Sequence, residues 1–298
     1  MHILSSTLVR VFIVSIVSFI VYLTTTAPDV GFTDSGELAA VCTTLGVAHP
    51  TGYPLYTIIG HAWTLLPLPF SPIYALNVFA GLCVSVSVGI FSWCLSLIFG
   101  LIHQNRIHQK RGKNTVAPLS FSPLAEHLAT VGISAMYAFS EIIWHQATSN
   151  EVYSLQLVVL TLSIALFLRA MSIDKQYRMP ALMIWVAVIG LGFGNHGTTI
   201  LLAPAMIYMF FKRPQEKFDF SIGRWKELFI LIIPFSIGLS VWLYLPLRSA
   251  ALPDFNWGEV HRGFDKFWYH ASGKQFQIWM FNDSFSKNFK EFISLLPG

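Results

Sequence analysis

Long apolar runs recur along this chain, separated by short polar stretches. They occupy residues 11–23, 73–102, 128–144, 152–168, 180–193, 198–211 and 228–247. About 20 apolar residues cross a bilayer core of ~30 Å as a helix, so the pattern predicts an all-α integral membrane protein of about seven transmembrane helices. The first run follows Arg10 and is read as a retained helix, although its length also suits the apolar core of a signal peptide. The runs 180–193 and 198–211 are short for full spans. They predict a hairpin whose tip, GNHG, sinks below the outer surface, where irregular backbone must be buried in protein or line a cavity. Residues 54–70 cannot cross without inverting the order of the loops, and are expected to lie in the outer interface with Tyr56 and Trp63 as anchors.

Charge gives the runs a direction. The connections 103–123, 169–178 and 212–226 hold most of the lysines and arginines, and the positive-inside rule makes them cytoplasmic. Residues 27–53, 141–151, 194–197 and everything after Leu247 then lie outside. The first two of these contain Asp29, Asp34, Glu37, Glu141 and Glu151 without one Lys or Arg.

Composition agrees with a membrane chain. Hydrophobic residues make up 54% and charged residues 11%, against roughly 25% charged in soluble domains. The net charge of +4 follows the cytoplasmic loops and forms no basic stripe, which excludes a nucleic-acid footprint. Cys42, Cys83 and Cys94 lack CxxC spacing, and the last two fall in an apolar run as small core residues; neither a disulfide framework nor a zinc knuckle is expected.

The unusual polar residues all fall on the outer side, where several helices can gather them round one pocket. Asp34 and Glu37, three apart, share a helical face. They match a capping box with Asp in place of Ser or Thr, or they supply a carboxylate that takes a proton from an attacking hydroxyl. His49 and Tyr53 lie in HPTGYP, a rigid turn that could also contact substrate. Glu151 either opens the helix that follows it or places a second carboxylate opposite Asp34. GFGNHG formally matches the dinucleotide fingerprint GxGxxG but lacks its strand context. Asn195 and His196 therefore mark either a kink or an anion seat of exposed N–H groups. Arg248 either snorkels or meets a phosphate. No ligand spacing demands a metal, although Asp34, Glu37 and Glu151 offer oxygen ligands to a hard cation.

Two regions follow: a transmembrane domain over 1–247, with its outer catalytic loop at 24–72, and a polar, aromatic outer tail over 248–298 that could cover the pocket or lie on the membrane. The chain ends at SLLPG without a closing element, which reads as a truncated or short form. Asn282, Asp283 and Ser284 form a glycosylation sequon, meaningful only in a eukaryotic secretory lumen.

A lipid-accessible cavity with an outward carboxylate and phosphate ligands suits transfer of a group from a lipid-linked phosphate to an external hydroxyl. In direct inverting transfer one base suffices, because the phosphate leaves without a general acid. The stretches DSGELAAVCTTLGVAHPTGYPLY, ATSNEVYSLQ, GLGFGNHGTTILLAP and YLPLRSAALPDFNWG resemble, in order, motifs of the GT-C-type membrane O-mannosyltransferase family formerly known only as a domain of unknown function. The resemblance covers nearly the whole chain. It implies a GT-C-like multi-helix bundle, a polyprenyl-phosphate sugar as donor with mannose as the expected sugar, and a protein Ser/Thr or glycan hydroxyl as acceptor. By the same resemblance Asp34 is the base and Glu37 supports it, with His49, Tyr53, Glu151, Asn195, His196 and Arg248 in the pocket. Longer members carry a large soluble C-terminal region. The implied location is a bacterial inner membrane with the site facing the periplasm, or an ER membrane with the site facing the lumen. A lipid or small-molecule transporter, and a non-catalytic assembly subunit of the same fold, are the competing readings.

Overall fold

The computed structural model describes residues 2–31, 33–111, 122–214, 216–280 and the single positions 287 and 294. Among them the chain is helical, with one isolated parallel bridge between Val47 and Asn256. The sequon lies outside the described residues. In order, the helices are α1 (His2–Leu23), α2 (Ser35–Thr44), α3 (Pro54–Thr64), α4 (Pro72–Arg111), α5 (Pro123–Ala138), α6 (Glu141–Thr148) and α7 (Val152–Ser172). They continue as α8 (Lys175–Phe193), α9 (Ala203–Phe211), α10 (Ile222–Leu239), α11 (Tyr244–Ala250), α12 (Phe264–Ala271) and α13 (Lys274–Met280).

Four stretches among the described residues are long and apolar enough to cross a membrane: Pro72–His103, Val152–Ser172, Lys175–Phe193 and Ile222–Ala250. Thr7–Leu23 and Gly197–Phe211 are apolar but shorter. The exposed faces of α1 (Phe12, Ile16, Ile20) and α10 (Phe229, Ile233, Ile237) are apolar as well, as surfaces solvated by lipid must be. The chain is an integral membrane protein.

Two expectations change. The run 128–144 is divided, because Ser140 is extended (φ −67°, ψ 143°) and Glu141 starts a new helix whose dipole favours an acid in its first turn. Tyr56 is no interfacial anchor: it is fully buried, and its hydroxyl donates to Asn150 Oδ1. Trp63 is partly buried and donates from Nε1 to the Ala75 carbonyl at 2.8 Å. Helix α3 is therefore packed into the protein.

The helices meet in two main cores. Leu38, Val41, Tyr56, Leu76, Phe79 and Leu155 join the outer helices α2 and α3 to the ends of α4 and α7. Phe167, Leu182, Phe210 and Leu231 join α7, α8, α9 and α10. Helices α8 and α10 approach through glycines: a Cβ on Gly190 would stand 2.3 Å from the Phe235 carbonyl oxygen, and one on Gly238 2.1 Å from that of Ala187. Small residues at such crossings let backbones pack where apolar burial gives no net drive. The three cysteines are free and buried.

Candidate functional site

The loops that lead into α2 and α7 are fixed by buried amides. Asn77, inside α4, donates to the carbonyls of Ala27 (2.8 Å) and Asp29 (3.0 Å) and accepts from the Asn150 N–H (2.8 Å). Asn150 in turn donates to the Ser35 carbonyl at 3.0 Å. Both are fully buried. An unpaired amide there would carry a large desolvation penalty, so this network holds the segment before α2 against the segment before α7. Asp34 and Glu151 are thereby brought side by side.

Neither acid of α2 caps its helix. Asp34 occupies the N-cap position but makes no side-chain cap bond, and its backbone is helical (φ −90°, ψ −1°) rather than extended. Glu37 does not reach back towards the N-cap. Its Oε1 accepts from the His49 N–H at 2.8 Å and lies 3.0 Å from His49 Nδ1. On the far edge of the imidazole, Nε2 lies 3.1 Å from the Tyr53 hydroxyl and 3.8 Å from Asp34 Oδ2. The imidazole thus sits between two carboxylates, one bonded and one at the edge of ion-pair range.

The turn that carries His49 is narrow. Gly52 has φ +88°, and a Cβ there would come within 3.0 Å of Leu245 and His270. Glycine alone adopts this conformation freely. Tyr53 follows at φ 43° and stacks on His196, with ring centroids 6.2 Å apart and planes 11° from parallel. Tyr153 covers another side of His196 at 5.0 Å.

Electrostatics separates the members. Burial works to raise Glu37, but the hydrogen bonds and charge of His49 outweigh it and hold the carboxyl below its usual value. Burial works to lower His49, but the hydrogen bond from Glu37 and the charges of Glu37, Asp34 and Glu151 outweigh it and hold the imidazole above its usual value. Glu151 is pushed up to about 7 by burial and by the Asp34 carboxylate, partly offset by the Asp34 backbone N–H and by His49. Burial lowers His196. The charged form of His49 is therefore favoured by its acidic neighbours, while Glu151 changes charge near neutrality.

The remaining sequence candidates fall elsewhere. Asn195 is fully buried and donates to the Val152 carbonyl (3.1 Å) and to Gln156 Oε1 (2.9 Å), tying the GNHG break to α7. His196 Nδ1 accepts from the Thr198 N–H at 3.2 Å, so the imidazole caps the 3₁₀ turn 197–202. Arg248 is not in the cluster: its Nε donates to the Leu45 carbonyl at 2.5 Å and its Nη2 to that of Thr44 at 3.2 Å, closing the C-terminal end of α2.

The segment after α11 folds back over the turn. The Val47 N–H donates to the Phe255 carbonyl (2.8 Å), and the Trp257 N–H donates to that of Val47 (3.1 Å). Trp257 and Phe276 contact His49 edge to face at 6.4 and 6.2 Å. His270 is buried beside Gly52 and Gly258 and is lowered to about 4, first by burial. Sequence reasoning did not single out His270 or Asn77, whereas Trp257 belongs to the aromatic tail that could cover the pocket and Asn150 to the polar stretch TSNEVY. Trp257 does stand in one of the quoted motifs, whereas nothing around His270 marks it.

The donor atoms of Asp34, Glu37 and His49 all lie within 4.8 Å of one another, a set that could hold a divalent cation. Glu37 and His49 already satisfy each other, so the geometry does not require one.

The family described as protein O-mannosyl-transferase TMEM260 N-terminal domain matches residues 34–219. That range begins at Asp34 and takes in every cluster residue named above except the folded-back segment. A mouse relative, protein O-mannosyl-transferase TMEM260, is 30% identical over 239 residues, covering 78% of this chain and 29% of its own length. A Dictyostelium discoideum relative, protein O-mannosyl-transferase tmem260, is 25% identical over 276 residues, covering 88% of this chain and 30% of its own. The chain thus spans less than a third of these relatives. No solved structure matches it.

Proposed function

The chain belongs to the TMEM260 N-terminal domain family of protein O-mannosyl-transferases, and from that premise we propose that it is the membrane portion of such an enzyme. It transfers mannose from a polyprenyl-phosphate donor to a Ser or Thr hydroxyl of a protein on the outer side of the membrane. The fold is a GT-C-like bundle of about seven spans, with α1, α5 with α6, and the 197–211 segment completing the four longer ones. The site faces the periplasm or the ER lumen.

One observation carries this reading: two acids in capping positions both leave their helix uncapped and turn to one histidine. In the reaction the acceptor hydroxyl attacks the anomeric carbon, Asp34 takes its proton, and the bond to the phosphate oxygen breaks with inversion. The leaving phosphate needs no proton, so a single base is enough. Glu37 positions His49 and favours its charged form, which when present limits the repulsion between Asp34 and Glu151.

The test is transfer of labelled mannose from polyprenyl-phosphate mannose to a Ser/Thr peptide by purified wild type and Asp34→Asn in detergent. Product from wild type with a loss of about 10²-fold or more in the mutant is expected. Equal turnover by the mutant removes Asp34 as the base.

A further inference from the structure

A second cavity opens on the outer side of the cluster. It has a volume of about 440 Å³, within the range of small-molecule sites, and Pro50 forms its floor. Trp257 and α12 wall it, the latter with Asp265, Lys266, Trp268 and His270; Lys274 stands at the rim. Two residues link it to the acidic cluster: Pro50, which follows His49 in the chain, and Trp257, whose ring meets His49.

The lining is of mixed sign. Two lysines alone would suit an anion, but Asp265 in the same wall would repel it. Carboxylate, ammonium and imidazole side by side suit a neutral ligand with many hydroxyls, each able to donate or accept. Trp257 and Trp268, 42% and 60% exposed, offer flat rings to the C–H face of such a ligand. His270 stands in the same wall but is 2% exposed, with its Nε2 buried beside Gly52 and its ring bonded to the Ala48 backbone, so Asp265 and the two lysines supply the polar groups a ligand would meet.

We propose that the cavity bounded by Pro50, Trp257 and α12 is a hexose-binding site distinct from the acidic cluster. It holds a sugar ring between aromatic side chains, with Asp265 and Lys266 taking its hydroxyls. The inference stands on this lining alone and does not need the transferase reading. The ring can come from a lipid-linked donor or from a glycan already on an acceptor.

Ligand-observed NMR with methyl α-mannopyranoside and the purified full chain in detergent tests it, because no transfer is required. Saturable binding is expected, weakened about tenfold or more by Asp265→Asn and by Trp268→Ala, both surface positions that leave the core intact. Asp34→Asn should bind the glycoside as wild type does, which separates this site from the cluster. Absence of binding overturns the proposal, as does binding indifferent to both cavity substitutions. Displacement of the glycoside by millimolar inorganic phosphate, with the effect lost in Lys266→Ala, would make the cavity an anion site and also overturn it. If the glycoside binds as expected, competition by polyprenyl-phosphate mannose assigns the ring to the donor, and competition by a mannosylated peptide assigns it to the acceptor.

Discussion

At one end of α8, Arg178 pairs with Glu216 at 3.2 Å, and Arg224 reaches Glu216, Asp219 and Glu227 at 2.9, 3.2 and 3.4 Å. Arg213 completes the group with Glu227. Three arginines face three acids, and the Phe210 ring lies under two of the guanidinium groups. Past the other end of α8, Asp34, Glu37 and Glu151 surround His49. The first cluster neutralises itself; the second keeps an excess of carboxylate. Self-neutralising charge of this kind holds loops together. Unbalanced charge stores repulsion that a fold tolerates where the group has another task, and here it adds to burial in raising the Glu151 carboxyl to about 7.

The contrast is sharpest when one charge is removed from each cluster. Asp34→Asn should abolish mannosyl transfer by about 10²-fold or more while relieving repulsion, so the mutant unfolds no more easily than wild type. Arg224→Ala should do the reverse. Its guanidinium is 3% exposed and binds three partly exposed acids, so its removal should destabilise by about 3 kcal/mol, at the low end for buried pairs. Transfer per folded molecule should be unchanged. Thermal unfolding in detergent beside a turnover assay decides both. A loss of turnover in Arg224→Ala beyond its loss of folded protein would erase the distinction.

A smaller effect is expected within the outer cluster itself. Glu37→Gln removes the charged partner of His49, and the imidazole should titrate closer to its ordinary value, readable by NMR. Stability should fall by about 1–2 kcal/mol near neutrality. Because Glu37 is held below its usual value, its contribution exists above the ordinary carboxylate range and is lost as pH falls through the lowered value. Because His49 is held above its usual value, its contribution exists below the ordinary imidazole range and is lost as pH rises through the raised value. The pair's own contribution to wild-type stability should therefore form a plateau between these limits, superposed on the slope due to Glu151, and the mutant should lack it. An unchanged plateau would mean that the hydrogen bond contributes nothing beyond its geometry.

Much of the molecule could be read from residue order alone, and the failures have physical causes. The apolar runs at 73–102 and 152–168 lie within α4 and α7, because bilayer thickness and backbone satisfaction impose length and helicity together. The break at 139–140 escaped notice because Ser140 and Glu141 are only two polar residues in an apolar run. Tyr56 looked interfacial because a buried tyrosine and an interfacial one have the same neighbours in sequence; Asn150, 94 positions away, decides between them. The outer acids were legible as a group because the absence of basic residues nearby is itself a pattern. That they decline to cap α2 was not, since the competitor is a histidine in a later turn. Arg248 stood out as the basic residue that ends the last apolar run, but its carbonyl partners lie about two hundred positions earlier.

Glu151 gives the most delicate test of an unbalanced cluster. Its carboxyl is raised to about 7 by burial and by Asp34, so the native state holds this proton more tightly than the unfolded chain does. Between the ordinary carboxylate value and about 7 the native state binds more protons, and stability must fall as pH rises through that window. Glu151→Gln keeps the shape and removes the titration, so its stability should lose that slope and exceed wild type above pH 7. Asp34→Asn should remove part of the slope as well, because it withdraws the neighbouring charge while leaving burial in place. The two substitutions together should be less than additive, since each removes the same repulsion. Additive shifts in the unfolding midpoint across pH 5–8 would mean that burial alone raises Glu151, and that the Asp34 and Glu151 carboxylates act independently.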